Sequence, residues 1–90
     1  MDNIDVKDNC LIIKYSDFEI MFIKDFDTKM YNLIYQKGNS LYLKKPTDDN
    51  KYCVNFANNL YNMLKTDPQF PHISNDTFKN KVKFLEFAKN

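Results

Sequence analysis

The segment Met30–Lys45, MYNLIYQKGNSLYLKK, places three tyrosines, three leucines and three lysines around one glycine, Gly38. Two local structures compete for it. As a helix it starts at an Asp27 cap, carries Met30, Leu33 and Ile34 on one stripe, and ends at Gly38. As a hairpin it joins Tyr31–Gln36 to Ser40–Lys44 through Lys37-Gly38-Asn39. Tyr31, Leu33 and Tyr35 alternate strictly, and Leu41 and Leu43 do so beyond the glycine, a period of two that favours the hairpin.

The turn length then sorts the side chains. A two-residue Gly38-Asn39 turn pairs Tyr35 with Tyr42 and leaves apolar residues on both faces. A three-residue turn over Lys37–Asn39 pairs Tyr35 with Leu41. It collects Tyr31, Leu33, Tyr35, Leu41 and Leu43 on one face and Asn32, Ile34, Gln36, Ser40, Tyr42 and Lys44 on the other. A half-buried sheet separates polar from apolar residues, so the second register is expected. It sends Tyr31 and Tyr35 into the core and leaves Tyr42 outside beside Lys44.

Upstream, CLIIKYSDFEIMFIK (Cys10 to Lys24) consists of two runs rich in Ile and Phe, broken at Ser16-Asp17, the pattern of a tight hairpin. In the second run Phe18, Ile20 and Phe22 share one face, and Glu19, Met21 and Ile23 share the other. Both faces are mostly apolar, which marks a central strand or one covered on both sides. Residues 1–9 are polar and read as a loose lead-in or a short edge strand. Asp25-Phe-Asp-Thr28 reads as a turn closed by aspartate and hydroxyl side chains.

Downstream the period changes. Thr47, followed by Asp48 and Asp49, is a helix start. Cys53, Phe56, Ala57, Leu60, Met63 and Leu64 then recur at helical spacing. Pro68 and Pro71 stop that helix and stiffen the loop 67–74. A second helix starts near Asn75-Asp76, with Phe78, Val82 and Leu85 as its inner stripe. The expected fold is α+β: an antiparallel sheet of about four strands from residues 10–44, packed against two C-terminal helices over about 48–65 and 76–89. Ninety residues fit one domain, 1–90.

Composition narrows function mainly by exclusion. All thirteen basic residues are lysine, so no guanidinium is present to clamp a carboxylate, a phosphate or a guanine edge. The net charge of +1 is a weak footprint for duplex DNA. A single glycine excludes a glycine-rich phosphate loop. Two distant cysteines and one histidine do not make a zinc site. Abundant Asn, Lys, Ile, Phe and Tyr with scarce Gly and Ala are the residues of AT-rich codons, in keeping with a bacterium, a phage, a large virus or a protozoan. Asp2 and Asp5 stand where a secretory signal carries basic residues, and no apolar run is long enough to span a membrane. Cys10 and Cys53 read as reduced thiols, and the expected location is cytoplasmic, within a host cell if the source is viral.

Four groups of residues are candidate sites. The C-terminal helix carries more aromatics than one face uses: Phe84 and Phe87 lie off the Phe78–Val82–Leu85 stripe. Either they pack against the sheet or the proline loop, or with Lys81 and Lys83 they form an interface for a protein partner or a second copy. Tyr42, Lys44 and Lys45, with Tyr15 and Lys14, make a candidate stacking surface for nucleic acid, the second choice. His72 with Cys10 or Cys53 lacks the flanking motif of a catalytic pair. Asp17, Glu19, Asp25 and Asp27 lack the spacing of a metal site and read as solvated turn residues. The expectation is a non-catalytic small binding protein without cofactor or metal, in the style of a phage- or virus-encoded modulator or inhibitor.

Overall fold

The computed structural model describes residues 3–16, 18–36 and 39–88, with the side chains of 35, 36 and 39–46 outside that description. Five strands follow one another along the chain: β1 (Ile4–Lys7), β2 (Cys10–Tyr15), β3 (Phe18–Lys24), β4 (Tyr31–Gln36) and β5 (Asn39–Thr47). They form a single antiparallel meander in the order β1-β2-β3-β4-β5. The four strands expected between residues 10 and 44 are β2 to β5. The polar lead-in contributes β1, a four-residue edge strand, a length that limits pairing with foreign chains. Segment 30–45 is therefore a hairpin and not a helix.

Its register differs from the expected one. Gln36 pairs with Asn39, Tyr35 with Ser40, Ile34 with Leu41 and Leu33 with Tyr42. Only Lys37 and Gly38, both outside the described residues, separate the paired ends, so the three-residue turn does not form. Paired residues share a face, and the consequence is an inversion. Ile34, expected outside, pairs with Phe22, and both are fully buried. Leu33 pairs with Ile23 on the opposite face and is only half-buried. Tyr31 is core, as expected, but for another reason. The ladders on both sides of β4 shift register between Tyr31 and Leu33 and between Ile23 and Lys24. That irregularity breaks the alternation and turns Tyr31 inward, away from the face of Leu33. Segregation of polarity within the hairpin was the wrong criterion, because the fixed partner is Phe22 on β3.

Helices α1 (Asn50–Leu64) and α2 (Asn75–Ala88) follow the sheet. The cap of α1 is Asp49 and not Thr47: its carboxylate accepts from the backbone N–H of Lys51 at 2.9 Å and of Tyr52 at 3.3 Å. Thr47 acts one step earlier, its Oγ1 accepting from Asp49 N–H at 3.1 Å. Both aspartate and threonine can cap, and the chain enters the helix at the one whose carboxylate reaches two amide groups. Ser74 does the same for α2, its Oγ accepting from Thr77 N–H at 3.2 Å. α1 lies over β2, and α2 lies beside α1 and over β5.

One cluster joins the two layers. From the sheet come Leu11, Ile13, Phe18, Ile20, Phe22, Tyr31 and Ile34; from the helices come Cys53, Phe56, Ala57, Leu60, Leu64, Phe78, Val82 and Leu85. The helical stripes and the Phe18–Ile20–Phe22 face thus bury as their periodicity dictates, except Met63, which is half-buried at the margin of the cluster. Both helices sit on this face of the sheet. Ile12, which alternates to the other face, is buried yet lies outside the cluster.

Candidate partner-binding surface

α2 turns Phe78, Val82 and Leu85 into the core. At about 100° per residue these lie within one narrow arc, and Phe87 falls on the opposite side of the helix. Phe84 points along the flank toward α1, where it lines a depression of about 310 Å³ with Met63, Thr77, Asn80 and Lys81. Phe84 is 63% exposed and Phe87 79% exposed. Three residues apart, the two rings are neighbours on the helix surface. Buried in a contact, each ring contributes on the order of 2–3 kcal/mol, against which the cost of association is set.

The lysines beside them are not equivalent. Lys83 is exposed on α2. Lys81 is half-buried and its Nζ stands 3.9 Å from Asp67 Oδ2, a long pair that leans its stem over the depression. Asp67 itself is a loop organiser, accepting from Gln69 N–H at 2.8 Å through its carboxylate. The seat against the sheet that Phe84 or Phe87 had as an alternative is filled by Phe70. Its ring centroid lies 5.4 Å from that of Phe18 and 5.8 Å from that of Tyr61. The proline loop delivers this phenylalanine and leaves the helical ones outside.

The second set of residues is not assembled as expected. The side chains of Tyr42, Lys44 and Lys45 lie outside the described residues, and Tyr42 is placed only by its backbone pairing with Leu33. Tyr15 does not belong with them. It alternates to the inner face with Leu11 and Ile13, stacks on Tyr61 with centroids 4.0 Å apart and planes 3° from parallel, and donates its hydroxyl to Asn58 Oδ1 at 2.7 Å. Burial first, then the neighbouring Tyr61, pushes its pKa up to about 12. Tyr15 therefore joins sheet to helix and offers no stacking face. Lys14 is exposed on the outer side of β2.

Cys53 is fully buried in the core. Burial first, and then Asp49, pushes its thiol up to about 12, the setting of an inert packing group and not of a nucleophile. Cys10 is half-buried on β2, and His72 is exposed in the proline loop. Asp25 is committed to its own turn, its Oδ1 accepting from the N–H groups of Thr28 and Asp27 at 2.9 Å each. Those two amides, Thr28 first, hold its pKa below the usual carboxylate value. Among the described residues no cluster of three or more His, Cys, Asp or Glu is arranged to hold a metal ion, and no helix is long and apolar enough to cross a membrane.

The same turn presents an exposed aromatic that the sequence reading passed over. Phe26 is 78% exposed, with Lys29 Nζ 4.6 Å from its ring centroid. Lys29 adopts φ of 63°, which turns the chain back so that Asp25 N–H donates to Met30 O at 2.7 Å. The available signal was a phenylalanine between two aspartates, an apolar side chain in a segment already assigned to a solvated turn. Comparison of the chain with protein-family models, curated proteins and solved structures found no match.

Proposed function

We propose that this chain is a non-catalytic binding protein that acts on a protein partner, with the outer ridge of α2 as its contact. The observation that supports this reading is the pair Phe84 and Phe87, exposed to 63% and 79% on a helix whose opposite side is fully committed to the core. Two adjacent apolar rings on a rigid element, beside a shallow depression and an exposed lysine, have the composition of an interface centre with a polar rim. A solvated helix gains nothing from carrying them. The mechanism is occlusion: the ridge covers a surface on the partner and needs no bond-making chemistry. Size and AT-rich composition fit a small modulator encoded by a phage or virus, acting inside a host cell.

The test is a comparison of wild type with the double variant Phe84→Asp plus Phe87→Asp in retention of protein from a host lysate. A species held by the wild type and lost from a variant of equal thermal stability is the expected result. Equal retention by both overturns the assignment of the surface. Retention of nucleic acid instead, with affinity falling steeply as salt rises, would replace a protein partner with the second-choice reading.

A further inference from the structure

We propose that the outer face of the sheet, turned away from both helices, is where a second copy of this chain docks, sheet against sheet. This goes beyond the α2 reading and uses a different surface. An antiparallel sheet with one solvated side normally carries polar residues there. Here the register lines up two rows across the strands on that side. One runs Asp5–Ile12–Met21 and the next runs Lys7–Cys10–Ile23–Leu33. Between the charged ends on β1 and the hairpin, every one of these residues is apolar or a thiol and is buried or half-buried. The next row on the same face, the exposed charged pair Lys14–Glu19, forms a polar rim.

The charges select the occupant. Asp5 and Lys7 are two residues apart on β1 and share this face. A two-fold axis running across the strands, between the two rows, lays each row on the other row of the second copy. Asp5 of each copy then meets Lys7 of the other, Ile12 meets Cys10, and Met21 meets Ile23. These two rows are thus complementary to themselves in sign and in apolar content, as a closed, symmetric dimer requires. The four strands β1 to β4 and about six residues along each span roughly 19 Å by 20 Å, or about 380 Å² per copy. The pair then covers about 760 Å², below the ~1,000 Å² of a stable specific interface, so the dimer is weak and reversible. The α2 ridge does not serve as the occupant. It projects from the opposite side of the molecule, and ridge-on-face contact is head to tail, which builds rings or open chains and not a two-fold dimer.

Sedimentation across a hundredfold range of concentration tests this, and the expected behaviour is a monomer–dimer equilibrium. Ile23→Lys is expected to weaken it at least tenfold. Asp5→Lys is expected to weaken it several-fold, because symmetry creates the like-charge pair twice. Asp5→Lys combined with Lys7→Asp is expected to restore the wild-type affinity. If Ile23→Lys does not fold, the Asp5–Lys7 pair on the edge strand decides alone. Three results overturn the proposal: a wild type that stays monomeric throughout, a double swap no better than Asp5→Lys, or association abolished by Phe84→Asp plus Phe87→Asp. The last of these would move self-association to the α2 ridge. Loss of lysate partners from that same variant, with the dimer intact, supports both surfaces.

Discussion

Two aromatic regions of this molecule have similar composition and opposite fates. At the seam between sheet and helices, Tyr15, Phe18, Tyr61 and Phe70 come from three separate parts of the chain and close on one another, with centroid separations of 4.0 to 6.2 Å. On α2, Phe84 and Phe87 are neighbours on one turn and remain exposed. The difference is not in the side chains. A ring is buried when a second element arrives opposite it, and the proline loop arrives opposite Phe18 while nothing described arrives opposite Phe87. Local apolar density therefore does not report burial; the geometry of the next element does.

The largest expected effect lies under the seam. Phe22 is fully buried, and its ring meets that of Phe56 edge-on at 6.4 Å. Phe22→Ala is expected to cost about 3–5 kcal/mol in urea unfolding, the transfer of the ring plus the cavity it leaves. A loss under about 1 kcal/mol would show that this core collapses freely and would weaken the contrast with α2.

Removal of the α1 cap is expected to cost less. Asp49→Ala orphans the N–H groups of Lys51 and Tyr52 and is expected to lose about 0.5–2 kcal/mol, with Thr47→Ala losing less. Equal losses from both would mean that the two residues share the capping.

The seam also predicts a pH dependence. The Tyr15 hydroxyl is raised from its ordinary 10.0 to about 12, so in that window the folded chain holds a proton that the unfolded chain has released. Stability from this group is complete below pH 10 and falls as pH rises through 12. Cys53, raised from 9.0 to about 12, adds a fall of the same sign that starts near pH 9. Tyr15→Phe is expected to flatten the upper part of the profile while losing the bond to Asn58, a cost of about 1 kcal/mol at neutral pH. An alkaline profile identical to the wild type would show that Tyr15 is not the group responsible.

At the other extreme, Phe84→Asp plus Phe87→Asp is expected to change stability by no more than about 0.5 kcal/mol per site. That near-zero value, set against Phe22→Ala, is the sharpest form of the comparison. A large loss would mean that the α2 rings support the fold and are not held for a partner.

Much of this architecture is legible in the residues themselves. The strand alternation of Phe18, Ile20 and Phe22, the helical recurrence from Cys53 to Leu64, and the stops at Pro68 and Pro71 each arise from a local period or a missing N–H. They read correctly without tertiary information. The outward position of Phe84 and Phe87 is likewise present in the spacing, although their exposure depended on Phe70 taking the seat on the sheet. Faces of the β4–β5 hairpin were not legible. In a strand with apolar residues of both parities, Leu33 and Ile34 compete equally for the core. Only pairing with Phe22 on β3, together with the register shift beside Tyr31, selects Ile34. The sequence alone determined the β2–β3 strands and both helices, because those periods are properties of adjacent residues. Tertiary structure decided which side of the hairpin faces the helices, because a one-residue slip exchanges the two faces and only a neighbouring strand can forbid it.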